Sequence, residues 1–240
     1  SEVREIKFND GFKVLEKFSL TDTNIEEIKL PSLIEKVYGE TFSSMDKLKK
    51  IYISNENIHY TAVNGILFSK DKKTLIAFPK KNGATSYSVP AGVEKIGSRA
   101  FFESELSTIN LPDSLVYIDD YAFYHAAIKS LKLPETVKSV GEYAITFRKD
   151  VFSPSATSVK IKEGGTQTIN FVVSTSSKSI KYISYSNSSI HSVEWTNAKS
   201  TDSVDLKITG KKAGKSYLRA CMVDSERNVL VFVNILVTVT

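Results

Sequence analysis

Gly210–Ser216 reads GKKAGKS, the stretch of this chain that comes nearest to a phosphate-binding loop. Such a loop cradles phosphate oxygens with backbone amides ahead of a helix, and it sets four residues between its two glycines. Here only three separate Gly210 from Gly214, and the strand-like run YLRACMV follows. A turn between two strands is expected. His59, His125 and His191 lie far apart, and none has a second ligand at metal spacing. The one cysteine, Cys221, permits no intrachain disulfide. Its alternation with Leu218, Ala220 and Met222 points it away from the face those three share. A catalytic thiol needs an adjacent base, and the sequence places none beside it. Asp119 and Asp120 are neighbouring carboxylates in a turn, where adjacent side chains tend to point apart. Asn187-Ser188-Ser189 matches a glycosylation sequon by pattern alone. No enzyme chemistry, cofactor or metal is therefore expected.

What remains is surface, and a repeat positions it. Val89–Phe101 reads VPAGVEKIGSRAF, Leu111–Phe123 reads LPDSLVYIDDYAF and Leu133–Ile145 reads LPETVKSVGEYAI, each 22 residues after the last. Counted from each proline, apolar residues recur at −3, −1, +3, +6 and +11. For Pro112 these are Ile109, Leu111, Leu115, Ile118 and Phe123; for Pro134 they are Leu131, Leu133, Val137, Val140 and Ile145. Earlier copies centre on Pro31 and, degenerately, on Asn9, with Ile6, Phe8, Phe12, Leu15 and Leu20 in register. Self-similarity at this period is the signature of a leucine-rich repeat solenoid. Each unit is a short strand, a turn and an irregular or short helical return, and stacking supplies its core.

The rhythm breaks between Leu48 and Pro90. Ile66, Leu67 and Phe68 are expected to face Leu75, Ile76 and Phe78 across SKDKKT as an inserted hairpin near 58–79, with a partial restart at Pro79. In each repeat strand, positions −4 and −2 point opposite to the core. The −2 ladder reads Lys7, Lys29, Tyr52, Ala77, Ser88, Asn110, Lys132, and the −4 ladder reads Glu5, Glu27, Lys50, Leu75, Ser86, Thr108, Ser130. Lys29, Lys50, Tyr52, Ser88, Asn110 and Lys132 are the candidate partner-contacting residues. Lys29, Lys50 and Tyr52 make the strongest patch, two cations beside an aromatic.

Bulk composition agrees with a folded chain: 41% of the 240 residues are apolar and 25% charged. Net charge is +5, and it is unevenly placed: residues 151–240 carry 11 Lys+Arg against 6 Asp+Glu, while residues 1–150 carry 21 of each. That contrast sets a domain boundary near residue 150. The C-terminal basic residues are scattered, which argues against a nucleic-acid partner. No apolar run approaches the ~20 residues that span a bilayer, so no transmembrane segment is expected.

The pattern LPxxVxxIGxxAF, together with NGILFSKDKKTLIAFP, resembles the BspA-type leucine-rich repeats of bacterial surface proteins over about residues 3–148. The chain departs from that family where a cysteine or small residue often follows the AF pair: Met45, Ser104, Ala126 and Arg148 stand there. After Arg148 a polar connector leads to seven strand-like segments separated by Ser, Asn and Gly turns, the pattern of a β-sandwich. VKIKEGGTQTINF and LKITGKKAGKSYLRA resemble bacterial immunoglobulin-like domains of the Big type, with Trp195 late in the domain. The fold expectation is thus mainly β with short helical or irregular returns: a solenoid over 1–150 and an immunoglobulin-like sandwich over 151–240.

The resemblance implies an exported, non-enzymatic surface or periplasmic protein mediating protein–protein interaction or adhesion through the repeat sheet face. No secretion signal is recognisable in this chain. One alternative is a carbohydrate-binding accessory of a glycan-handling system, in which Tyr52, Tyr121 and Tyr124 stack on sugar rings. The other is a structural spacer that binds nothing.

Overall fold

Backbone hydrogen bonds between equivalent residues turn the 22-residue rhythm into stacked coils. Lys138 N donates to Val116 O at 2.9 Å and Val116 N donates to Glu94 O at 2.8 Å. The computed structural model describes residues 3–9, 11–128, 131–146, 152–173, 180–186, 189–196 and 203–240. It divides into two compact units, Ser1–Ile145 and Thr146–Thr240.

In chain order the first unit holds β1 (Glu27–Lys29), helix α1 (Gly39–Phe42), β2 (Lys50–Tyr52), β3 (Tyr60–Val63), β4 (Ile66–Ser69), β5 (Thr74–Ala77), β6 (Ser86–Ser88), β7 (Lys95–Ile96), β8 (Thr108–Asn110), β9 (Tyr117–Ile118) and β10 (Ser139–Val140). β1 pairs with β2 and β6 with β8, both in parallel. A second sheet runs β10-β9-β7-β5-β4-β3. Its β5, β7, β9 and β10 are parallel, and β3, β4 and β5 form an antiparallel meander. Strands this short have no independent stability. They hold because their apolar residues pack between coils: one buried cluster gathers residues from Leu15 to Ala77, and further along Phe78, Phe101 and Phe123 follow one another ring to ring.

Those rungs follow the repeat. At position +6, Ile96, Ile118 and Val140 are at most 1% exposed; at +11, Phe101, Phe123 and Ile145 are at most 3% exposed. The rings of Phe101 and Phe123 stack at 5.2 Å with 10° between their planes. Phe12, expected inside, is 37% exposed, and Val14 and Phe18 beside it are exposed as well. Within the described residues the first coil is covered by the coil after it, to which Leu15 N donates at Lys36 O, and these three side chains stay partly open.

The segment before Pro79 corrects a second expectation. Leu75 and Ala77 belong to the two outward ladders by count from Pro79, yet both are buried, and Ile76 is half-buried. β5 pairs with β7 and sets Leu75 beside Ile96. Leu75 therefore occupies a +6-type core position, and Pro79 does not restart a unit. The insert is a three-stranded meander whose last strand joins the second sheet. It replaces one coil's return, so the second coil packs straight onto the return that follows Pro90. Gly39 marks the contact: a Cβ there would run into the Ser98 carbonyl and stand 2.8 Å from Ile76 O. Glu40 is buried beside it, taking hydrogen bonds from Lys17 Nζ (2.9 Å) and Ser98 Oγ (3.1 Å).

The second unit holds β11 (Phe152–Pro154), β12 (Ser158–Ile161), β13 (Thr166–Val173), β14 (Ile180–Tyr185), β15 (His191–Thr196), β16 (Ser203–Gly210), β17 (Gly214–Asp224) and β18 (Val229–Val239). They form two four-stranded sheets, β11-β13-β16-β15 and β12-β18-β17-β14. Among the described residues of this unit, only β12 and β18 pair in parallel. Strict alternation along β13 and β16 puts Ile169, Phe171, Val204, Leu206 and Ile208 into the same apolar cluster as Leu218, Ala220, Met222, Ile235 and Val237 from the other sheet. Trp195 packs on Phe171 and Tyr182 at the margin of that cluster.

Candidate binding surface

β1 and β2 bring the strongest expected patch together. Their register sets Lys29 opposite Tyr52 and Glu27 opposite Lys50. Glu27 holds both neighbours: Tyr52 OH donates to its Oε2 at 3.3 Å, and Lys50 Nζ lies 3.8 Å from its Oε1. All are exposed, so these contacts fix orientation more than they add stability. Lys29 makes no hydrogen bond or ion pair among the described residues. Tyr52 is 42% exposed.

The hairpin tip shapes the ground beside this patch. Leu30 N donates to Tyr52 O in the next coil, but Ile51 N donates instead to Gly65 O, at 2.9 Å. Asn64 and Gly65, both at positive φ, form the two-residue turn between β3 and β4. A Cβ on Gly65 would stand 2.8 Å from Lys50 Cγ. A shallow concavity results, lined by Lys50, Tyr52, Ile53, Ala62, Asn64 and Gly65. Asn64 was not among the expected contact residues. The Asn-Gly dipeptide is the sequence signal that marks the tip.

The other expected residues stand apart from this patch. Ser88 and Asn110 lie on the separate β6–β8 pair, where Asn110 Nδ2 donates to Ser88 Oγ at 3.0 Å. Lys132 is exposed on a later coil. The ladder of the sequence is thus broken by the meander, and Ser130 falls outside the described residues.

A second ladder, not anticipated as a unit, follows the returns. Arg99, Tyr121 and Tyr143 recur at 22 residues, all at positive φ. The Arg99 guanidinium lies 4.6 Å from the centroid of Phe102 and 4.6 Å from that of Tyr121. Tyr143 stacks on Tyr121 at 5.4 Å, and Tyr124 stacks on Phe102 at 5.8 Å and on His125 at 4.1 Å. Tyr121 therefore has neighbours from the coils before and after it, and Tyr124 from Phe102 and His125. Two of the three rings expected to receive sugars, Tyr121 and Tyr124, thus already pack against neighbouring rings. Burial, reinforced by Glu142, raises the Tyr121 pKa.

The remaining polar candidates are absorbed locally. Asp119 pairs with Lys95 at 2.8 Å, and Asp120 Oδ1 accepts from Glu142 N at 2.6 Å. GKKAGKS turns from β16 into β17, and its Gly210, Lys211 and Lys212 amides donate to Gly165 O and Ile190 O rather than standing ahead of a helix. Cys221 is buried outside the cluster that holds Leu218, Ala220 and Met222, and burial pushes its thiol pKa far up. His191 is fully buried, with Nδ1 3.0 Å from Ser216 Oγ. Burial lowers its pKa, and Lys211 and Arg219 lower it further. Among the described residues no group of His, Cys, Asp and Glu is placed to hold a metal, and no helix is long and apolar enough to cross a membrane. Asn187 and Ser188 of the sequon, like Arg148, lie outside the described residues.

Comparison with solved structures gives a leucine-rich repeat protein from Eubacterium ventriosum, at TM-score 0.53 and 22% identity, over 58% of this chain and 38% of that one. The pneumococcal vaccine antigen PcpA matches at 0.48 and 24% identity, over 63% and 42% of the two chains. A leucine-rich cell surface protein from Faecalibacterium prausnitzii matches at 0.49 and 20%, over 64% and 46%. The chain thus spans less than half the length of each. No curated protein matches it. Six copies of the BspA type leucine rich repeat region match residues 1–82 and 75–193, the last reaching past Ile145, where the strands pair mainly antiparallel. With most of its length covered by that model, the chain belongs to the BspA-type leucine-rich repeat family.

Proposed function

We propose that this chain is a non-enzymatic binding module exported to the bacterial surface or periplasm, engaging a protein partner through the β1–β2 face. The observation that carries this reading is the patch of Lys29, Lys50 and Tyr52 beside the concavity closed by Asn64 and Gly65. It offers a free cation, a half-exposed aromatic and a walled recess on a rigid scaffold, which together suit adhesion. Membership of the BspA-type family supports the assignment to the cell surface. The second unit, read as an immunoglobulin-like sandwich, serves as spacer or second contact.

Carbohydrate recognition is less well supported, because of its three candidate rings Tyr121 and Tyr124 are engaged by their neighbours, which leaves Tyr52. The test is capture from bacterial-surface and extracellular-matrix extracts, with bound proteins identified by mass spectrometry. Lys29→Glu with Tyr52→Ala should abolish capture at unchanged thermal stability. Capture that survives the double substitution contradicts the reading.

A further inference from the structure

At another corner of the solenoid, two large aliphatic side chains stand in solvent. Ile58 is 76% exposed and Leu33 56% exposed. They flank a concavity of about 160 Å³ lined also by Lys13, Glu35, Glu56 and His59. Isolated exposed aliphatics need no explanation, but a pair sharing one recess does. The loop that presents Ile58 is fastened rigidly. Asn57, 3% exposed, donates through Nδ2 to Ser32 O (2.9 Å) and Ile34 O (2.8 Å), and its Oδ1 accepts from His59 N (2.9 Å) and Tyr60 N (2.8 Å). One buried amide thus nails this loop to the preceding coil's turn and holds Ile58 out beside Leu33.

We propose that this recess seats one bulky apolar side chain of a partner protein, with a lysine or arginine next to it that reaches Glu56. Its volume fits a single large side chain rather than a helix or a sugar chain. Charge selects the flanking residue. Lys13 and Glu35 neutralise each other at 2.6 Å, whereas Glu56 has no ion pair among the described residues. The recess therefore carries a net negative charge on a basic protein, complementary to a cation. A rigid rim lowers the ordering cost of binding. This site does not depend on the β1–β2 face.

The test uses the full chain and acetylated nonapeptides of Gly and Ser with a central Phe, Leu or Ala flanked by Lys or by Glu, titrated by two-dimensional NMR. Saturable shifts confined to Leu33, Glu56 and Ile58 are expected with Lys-flanked Phe or Leu peptides. Binding should weaken about tenfold or more with a central Ala, with Glu flanks, or in Ile58→Asp, while Lys29→Glu with Tyr52→Ala leaves it unchanged. Equal binding of Lys- and Glu-flanked peptides, or shifts elsewhere, overturns the proposal. So does a failure of every peptide to bind, or self-association of the chain that Ile58→Asp abolishes.

Discussion

The coils from Val89 to Ile145 and the interrupted stretch from Ile51 to Pro79 use the same architecture to opposite ends. In the regular coils nearly every distinctive side chain is consumed by its counterpart one coil away: Phe101 by Phe123, Arg99 by Tyr121, Tyr121 by Tyr143, Ser88 by Asn110. Periodicity supplies stability by pairing like with like, and it leaves little surface uncommitted. In the interrupted stretch the counterparts are missing. Tyr52 loses its next-coil neighbour to the hairpin tip, and Ile58 projects from a loop with no equivalent in the other coils. Side chains without a counterpart in the next coil therefore collect where the repeat fails.

The largest expected effect lies on the regular side. Phe101 is fully buried between Phe78 and Phe123, so Phe101→Ala should cost about 3–5 kcal/mol in urea unfolding. A loss under ~1 kcal/mol would show that the rungs do not share one core. On the interrupted side, Asn57→Ala removes a buried amide with four hydrogen bonds from an otherwise exposed loop and should cost roughly 2–4 kcal/mol. Local hydrogen-exchange protection at His59 and Tyr60 should fall with it. If protection there is unchanged, the loop is not fastened by that amide.

A smaller effect belongs to the second unit. His191 is buried with its pKa lowered, so in the unfolded chain it takes up a proton near pH 6.5, before the folded protein does. Its contribution is fully present above that pH and is lost as pH falls toward the depressed folded value. The melting temperature of the second unit should therefore drop as pH falls through that range. His191→Gln should flatten that part of the profile, and an unaltered slope would assign it to other groups. Smallest is a gain. Ser104 is buried with no partner for its hydroxyl among the described residues, at a position the family often fills with a cysteine or small residue. Ser104→Ala should stabilise by about 1 kcal/mol, measured by urea midpoint, and destabilisation would mean the hydroxyl has a partner.

Much of the fold is legible because a period of 22 is independent of context. Ile118, Val140, Phe123 and Ile145 stand where the count puts them. The count fails where neighbours change. Phe12 is exposed where the degenerate copy around Asn9 covers its apolar positions incompletely, and Leu75 is buried because its strand joins a different sheet from the one Pro79 implies. Of the candidate contact residues, Lys29, Lys50 and Tyr52 meet, since adjacent strands share a register, whereas Ser88, Asn110 and Lys132 are cut off by the meander. The aromatic ladder was hidden because its members sit in irregular returns at positive φ, where strand alternation says nothing. Only the spacing of Arg99, Tyr121 and Tyr143 carried it.

The difference between the two stretches comes down to one binding comparison. Partner capture is measured for Lys29→Glu with Tyr52→Ala beside Tyr121→Leu with Tyr124→Leu, each confirmed folded by its melting curve. Loss with the first pair and retention with the second is the predicted result. Retention with the first and loss with the second would place the contact on the regular ladder and contradict the account.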